Sequence, residues 1–274
     1  MNKTTVNKIL VIGTASLDRL HLPQGTVATA GGAGMYTALA AQRAGAACSL
    51  FAPYPAPMPE TLQKIDARIR WIGPTVPPEA LPRLEIAHHG DGTATLLDAS
   101  WGSEVELVTT LLADDLSDYH TVHIAALSSA QRQLDFLHAC RKRGACRISV
   151  GTYAKVVYGE GSTVKCLFEE ADIFFMNENE ANGLLGSPET WSTQPGKLLF
   201  ITVGAAGAWV LDGTKRIHVP SPSATEVDPT GAGDTFCGMT LAVLAQGAMP
   251  ASAAEQATQA AAYMIEFVGP SGLL

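Results

Sequence analysis

The sequence predicts an α/β fold, with helices on both faces of a mostly parallel sheet. Two observations carry that expectation. Short apolar runs stopped by glycine, such as 8–14, 68–72 and 198–204, suit strands buried on both faces. Helix-like runs at 35–44, 129–143 and 163–170 alternate with such strands, and βαβ alternation implies parallel pairing. Ligands then belong at the carboxyl ends of the strands.

In chain order, 8–14 (Lys-Ile-Leu-Val-Ile-Gly-Thr) is the first strand. Asp18 and Arg19 follow it; if that segment is extended they point to opposite faces, so at most one of them faces a given cleft. On spacing alone Asp18 reads as an exposed loop carboxylate. Ala30-Gly31-Gly32-Ala33-Gly34 opens the helix at 35–44, closed by Gly45, and its small residues permit close helix–sheet packing. A strand at 48–52, a proline-rich connection at 53–59, a helix at 60–67 and a strand at 68–72 come next. Runs at 84–89 and 93–98 flank Gly90-Asp91-Gly92, which is a hairpin signal. His88 and His89 face opposite ways in such a strand, which argues against joint metal binding and leaves them as hairpin surface.

Beyond Trp101 the alternation resumes with a strand at 119–125, a helix at 129–143, a strand at 146–151, a helix at 163–170 and a strand at 172–176. Arg141-Lys142-Arg143 suits the C-terminal dipole of its helix. Asn177-Glu178-Asn179-Glu180 opens a helix to about Gly186, and an N-cap with acidic first-turn residues explains that pattern unaided. After the strand at 198–204, Ala205-Ala206-Gly207 turns into an antiparallel-looking edge at 208–211 and 216–219. An alanine-rich helix at 250–267 closes the chain.

The densest candidate site is Asp228-Pro229-Thr230-Gly231-Ala232-Gly233-Asp234-Thr235, a glycine turn set directly before an apolar, helix-length run. Lacking Cβ atoms, Gly231 and Gly233 let an anion approach the backbone, and the first N–H groups of the helix carry partial positive charge. A P-loop would place Lys-Ser or Lys-Thr after Gly233, where Asp234-Thr235 stands. A dinucleotide fingerprint would want glycine at Phe236. Asp234 at the mouth can cap the helix, act in catalysis, or do both.

Composition narrows the classes. A chain of 274 residues that is 47% hydrophobic can bury a large core, and one domain over 1–274 with a small appendage is expected. The net charge of −8, without a basic block beyond Arg141-Lys142-Arg143, argues against nucleic acid as a partner. No apolar run reaches the ~18 residues of a membrane span, and Met1-Asn2-Lys3-Thr4-Thr5 lacks a secretory apolar region, so no membrane partner and a cytoplasmic location are expected. Cys48, Cys140, Cys146, Cys166 and Cys237 are scattered, which suggests reduced thiols and no cysteine-based metal site.

Asp228 to Gly238 resembles the C-terminal signature of the ribokinase-like, PfkB-type carbohydrate kinases, and further matches follow the family order along nearly the whole chain. The resemblance implies a three-layer α/β/α sandwich with a mostly parallel central sheet. It adds a small β lid from about 19–29 and 84–98, through which two copies can pair as a homodimer. It makes Asp234 the catalytic base and the amides of Gly231, Ala232 and Gly233 the hole for the transferring phosphoryl group. Asp18, Gly31, Gly32 and Tyr36 fall to the acceptor, Thr202, Gly204 and Gly207 to the nucleotide, and Asn177 with Glu180 to phosphate and magnesium, the metal through water. Tyr36 replaces a common family Asn, and Phe175 a frequent Lys.

The implied activity is transfer of the γ-phosphoryl group of ATP, with Mg²⁺, to a hydroxyl of a sugar, polyol or nucleoside. A pyridoxal-type vitamin-precursor kinase of the same superfold often carries Cys in the glycine loop, and the complete Asp-Pro-Thr-Gly-Ala-Gly-Asp speaks against it. A non-catalytic sugar or nucleotide sensor has no need of Asp234. A phosphorylated acceptor would need Arg or Lys aimed at its phosphate. Near the acceptor residues Arg19 and Arg43 are poorly placed, leaving lid residues such as Arg83, so a neutral acceptor is expected.

Overall fold

The computed structural model describes residues 7–89 and 94–274; the turn expected at Gly90-Asp91-Gly92 lies outside the described residues. In chain order the first strands are β1 (Lys8–Ile12), β2 (Ser16–Leu22), β3 (Gly25–Gly31), β4 (Ala47–Phe51), β5 (Tyr54–Pro55), β6 (Arg70–Ile72), β7 (Thr75–Val76), β8 (Arg83–His88) and β9 (Ala94–Ser100). They are followed by β10 (Thr121–Ile124), β11 (Ile148–Gly151), β12 (Ile173–Asn177), β13 (Leu198–Thr202), β14 (Ala208–Asp212) and β15 (Lys215–Val219). The helices are α1 (Ala33–Arg43), α2 (Glu60–Asp66), α3 (Ala130–Lys142), α4 (Ala154–Gly159), α5 (Gly161–Glu170), α6 (Glu178–Leu185), α7 (Ala232–Ala245) and α8 (Pro250–Met264).

A nine-stranded sheet runs in the order β15-β14-β13-β12-β11-β10-β1-β4-β6. Its pairings are parallel from β13 through to β6, whereas β14 and β15 pair antiparallel, as the apolar edge pattern suggests. Strand pleating sends successive residues to opposite layers. Ile9 and Val11 join one core with α1, α2, α7 and α8, while Leu10 and Ile12 join the other with α3 to α6. Both faces are thereby covered, which is why these strands read as continuous apolar runs. The chain leaves β1 outward to β4 and β6, then returns to β10 on the other flank of β1. That reversal opens a crevice at the carboxyl ends of β1 and β10.

A second, four-stranded sheet, β3-β2-β8-β9, contains the segments expected to form a lid. β2 pairs antiparallel with β3 and parallel with β8, and β8 pairs antiparallel with β9. Several features were absent from the sequence reading, among them the two-stranded β5-β7 sheet. The stretch after Trp101 forms 3-10 turns at Gly102–Glu106 and Thr109–Leu111, and α4 precedes α5. Six residues between Tyr153 and Glu160 are too few to display a helical period. No described helix is long and apolar enough to cross a membrane.

Candidate functional site

Between the two sheets lies a cavity of about 320 Å³, lined by residues that follow the strands: Thr14 after β1, Ala126 after β10, Thr152 after β11, and the ends of β12 and β13 at Asn177 and Thr202. The start of α7 closes one end. Gly231 takes the left-handed conformation there, with φ 79°. A Cβ at Gly231 would stand 2.5 Å from the Tyr36 ring, so glycine is required by both the dihedral and the space. Thus Tyr36, one of the two residues that depart from the family pattern, forms the bed on which the turn rests. The Ala232 N–H donates to Pro229 O at 3.1 Å and Thr235 N–H to Gly231 O at 2.8 Å. The N–H groups of Gly231, Gly233 and Asp234 have no acceptor among the described residues. Of the three amides expected to face a phosphoryl group, Ala232's is held inside the turn.

Asp234 lines the cavity in the first turn of α7, and burial pushes its carboxyl up to about 6. Glu180 is 4% exposed and is pushed up to about 7, mainly by burial and further by the charge of Asp234. Asn177 and Glu180 form a complete capping box. The Glu180 N–H donates to Asn177 Oδ1 at 2.9 Å, and Glu180 accepts the Asn177 backbone N–H at 2.9 Å and side-chain N–H at 2.6 Å. Helix capping is therefore present, and the same carboxylate faces the cavity near Asp234.

At the other end, Asp18 is a buried strand residue, 3% exposed, rather than the loop carboxylate its spacing suggests. Its neighbour Arg19 points to solvent, as the pleat requires. Asp18 Oδ1 accepts the Leu84 N–H at 3.0 Å, whereas Oδ2 and the Tyr36 hydroxyl have no partner among the described residues. Burial pushes the Asp18 carboxyl up to about 6. Gly31 lies behind this group, where a Cβ would collide with the carboxylate; Gly32 lines the cavity.

Gly204 and Gly207 stand apart from the lining. Gly204 is in an exposed turn, and Gly207, at φ 103°, allows close approach to Val219 O. Lys and Arg are missing from the lining among the described residues. Arg19 reaches Glu85 at 4.0 Å, and Arg43 stacks 5.5 Å from the Tyr263 ring.

The sequence reading missed four contributors. Trp101 and Tyr153 line the cavity with ring centroids 5.8 Å apart. Trp101 is steadied by the following turn, where buried Glu104 accepts the Ser128 N–H at 2.9 Å and pairs with Arg132 at 3.2 Å. His123 forms part of the floor, its imidazole driven down to about 3 by burial. Finally, His88 is not hairpin surface. It is 8% exposed, with Nε2 3.0 Å from Thr230 Oγ1. The physical reason is that His88 faces the main body of the protein at the end of β8, while His89 faces away. Pairwise proximity of this kind leaves no periodic trace in a sequence.

The cavity thus lies at the reversal point of a parallel sheet, carries carboxylates with no Lys or Arg among the described residues, and ends at a glycine turn with free amides. Residues 82–273 match the model of the pfkB family carbohydrate kinases, and the chain belongs to that family. It is a phosphotransferase of the PfkB type. It is 28% identical over 255 residues to a cytidine kinase of Thermococcus kodakarensis, covering 87% of this chain and 89% of that protein. A shorter match, 37% identical over 99 residues, is to a ribokinase of Bacillus subtilis and covers 35% of this chain and 33% of that one. The ribokinase of Cryptococcus neoformans solved in complex with ADP shares the fold, with a TM-score of 0.83 at 18% identity over 98% of this chain and 97% of that one. A Burkholderia thailandensis nucleoside kinase in complex with inosine does so with a TM-score of 0.77 at 19% identity, covering 96% and 92%.

Proposed function

We propose that this chain transfers the γ-phosphoryl group of ATP, with Mg²⁺, to a hydroxyl of a neutral acceptor, and that the acceptor is a nucleoside. One observation carries the reading: a single cavity is lined both by Asp234, beside unpaired helix-start amides, and by Asp18, whose Oδ2 has no partner among the described residues. Asp234 accepts the proton of the attacking hydroxyl, and a carboxyl raised toward neutrality suits that task. The Gly231, Gly233 and Asp234 amides hold the charge on the transferring group, and Asp18 orients acceptor hydroxyls. Thr202, at the end of β13, lies on the nucleotide side, with the turn at Gly204 and Gly207 supporting that edge.

Bound ATP supplies the phosphoryl group, and Mg²⁺ offsets its charge. No group of three or more His, Cys, Asp or Glu among the described residues could cage a metal by itself. That suits an ion held mainly by phosphate oxygens and water, with Asn177 and Glu180 at its rim. Glu180→Gln is accordingly expected to raise the Mg²⁺ concentration needed for half-maximal activity. An unchanged requirement would leave helix capping as the whole role of the pair.

Absence of Lys and Arg from the lining supports a neutral acceptor. Trp101 and Tyr153 favour a nucleoside among neutral acceptors, because an aromatic pair offers a planar base a stacking partner that ribose or inositol does not use. The name of the cytidine kinase relative points the same way, whereas that of the shorter ribokinase match points to a free sugar. The test is ATP consumption with cytidine, inosine and adenosine against ribose and inositol. The nucleosides should lead in kcat/KM by roughly two- to tenfold, the discrimination an aromatic contact supplies. A lead for ribose or inositol would overturn the nucleoside assignment and leave the kinase reading standing.

The small sheet acts as the lid in this reading, and two copies pair through it. Val27 and Leu96, 36% and 50% exposed, lie on one face of this sheet in a cross-strand row with half-buried Ile86 and fully buried Leu20. Light scattering should return a dimer mass, and Leu96→Glu should return a monomer. A monomeric wild type would contradict the pairing.

A further inference from the structure

One buried side chain joins the small sheet to the glycine turn. His88 Nε2, at the end of β8, lies 3.0 Å from Thr230 Oγ1 and 3.4 Å from Asp228 Oδ1. Asp228 is fully buried; Oδ1 accepts the Thr230 N–H at 2.9 Å and Oδ2 the Gly269 N–H at 2.7 Å. No Lys or Arg pairs with this carboxylate among the described residues, so backbone N–H groups and the imidazole surround it. The Asp228 carboxylate beside Nε2 favours the tautomer with its proton on Nε2, which then donates to Thr230 Oγ1.

A second strand of the small sheet meets the same hub. Gly269 packs so closely on Thr29 of β3 that a Cβ there would collide with the threonine hydroxyl. Two strands of the small sheet therefore converge on Asp228, one through His88 and one through Gly269. Thr230 immediately precedes Gly231, whose left-handed backbone begins α7 and leaves its amide free. The His88–Thr230 contact is the one side-chain hydrogen bond from the small sheet to this turn among the described residues.

We infer that His88 is a positioning residue for phosphoryl transfer: it clamps the small sheet to Thr230, so that the anion-binding amides are aligned only while the sheet is closed over the acceptor. This rests on the kinase reading above. Its consequence is coupling, since a turn ordered only by closure transfers to the acceptor in preference to water.

The experiment compares His88→Ala, His88→Gln, Thr230→Val and the His88→Ala/Thr230→Val double variant with wild type. Four quantities are measured: kcat, KM for ATP, ADP formed per phosphorylated product, and amide hydrogen exchange without ligand at Thr230 and Ala232, the hydrogen-bonded amides of the turn. His88→Ala should lower kcat about tenfold, the effect of losing one buried hydrogen bond in the transition state. It should also leave KM for ATP unchanged, raise ADP per product above one and speed exchange in the turn. His88→Gln, which keeps an N–H donor, should recover part of kcat. The double variant should lose about as much as either single variant, because both remove one interaction. A kcat for His88→Ala within twofold of wild type, losses that multiply in the double variant, or unaltered exchange would each overturn the clamp. If His88→Ala does not fold, His88→Gln and Thr230→Val decide the matter by the same readouts. A wild type that phosphorylates nothing would instead overturn the kinase reading, and the exchange comparison would still decide the clamp.

Discussion

Asp234→Asn is expected to leave the fold and ATP affinity nearly intact while lowering kcat by roughly 10²–10⁴, the range for loss of a general base. The amide keeps the size of the side chain in the first turn of α7 but cannot take the hydroxyl proton. The same assignment fixes a pH dependence. Asp234 must be ionised to act, so kcat should rise with pH through about 6 and then level, unless Glu180, raised to about 7, extends the limb. The stability effect has the opposite sign. Asp234 rises from 3.8 to about 6 on folding, so between those values the folded protein binds more protons than the unfolded chain and loses stability as pH rises. Asp234→Asn should therefore melt higher than wild type at pH 8, by roughly 2–4 °C for a change near 1 kcal/mol. A variant that melts higher yet turns over within tenfold of wild type would separate burial of Asp234 from catalysis and sink its role as base.

Asp18→Ala is expected to lower kcat/KM for the acceptor by roughly 10²-fold, the sum of two hydrogen bonds from substrate hydroxyls to a charged acceptor. Most of the loss should appear in KM, because these bonds form on binding and persist into the transition state. KM for ATP should stay within twofold. Equal losses in both KM values would mean that Asp18 chiefly holds β8 through the Leu84 N–H and does not meet the acceptor.

The α7 turn was legible because its chemistry is local. Gly231, Gly233 and Asp234 are neighbours in sequence, and a left-handed glycine before an apolar run predicts the helix start it makes. The parallel sheet was legible for a similar reason, since burial of a strand on both faces removes polar residues from it. Asp18 was misjudged because its burial comes from Gly31 and Leu84, distant elements that pack on it. Tyr36 stood out as a departure, but its place beneath Gly231 depends on how α1 crosses α7. Trp101 meeting Tyr153, and His88 meeting Thr230, join segments 52 and 142 residues apart, and neither pair has a period or a motif. Long-range juxtaposition is set by topology, which a residue pattern specifies only in outline.

The most direct test of the central claim is mass-spectrometric detection of phosphorylated product from ATP and matched acceptors, each neutral compound paired with its phosphorylated counterpart, for wild type and Asp234→Asn side by side. The account predicts that wild type phosphorylates the neutral member of each productive pair, nucleosides foremost, and that Asp234→Asn forms almost none. A clear preference for the phosphorylated counterparts, or equal product from the two proteins, would contradict it.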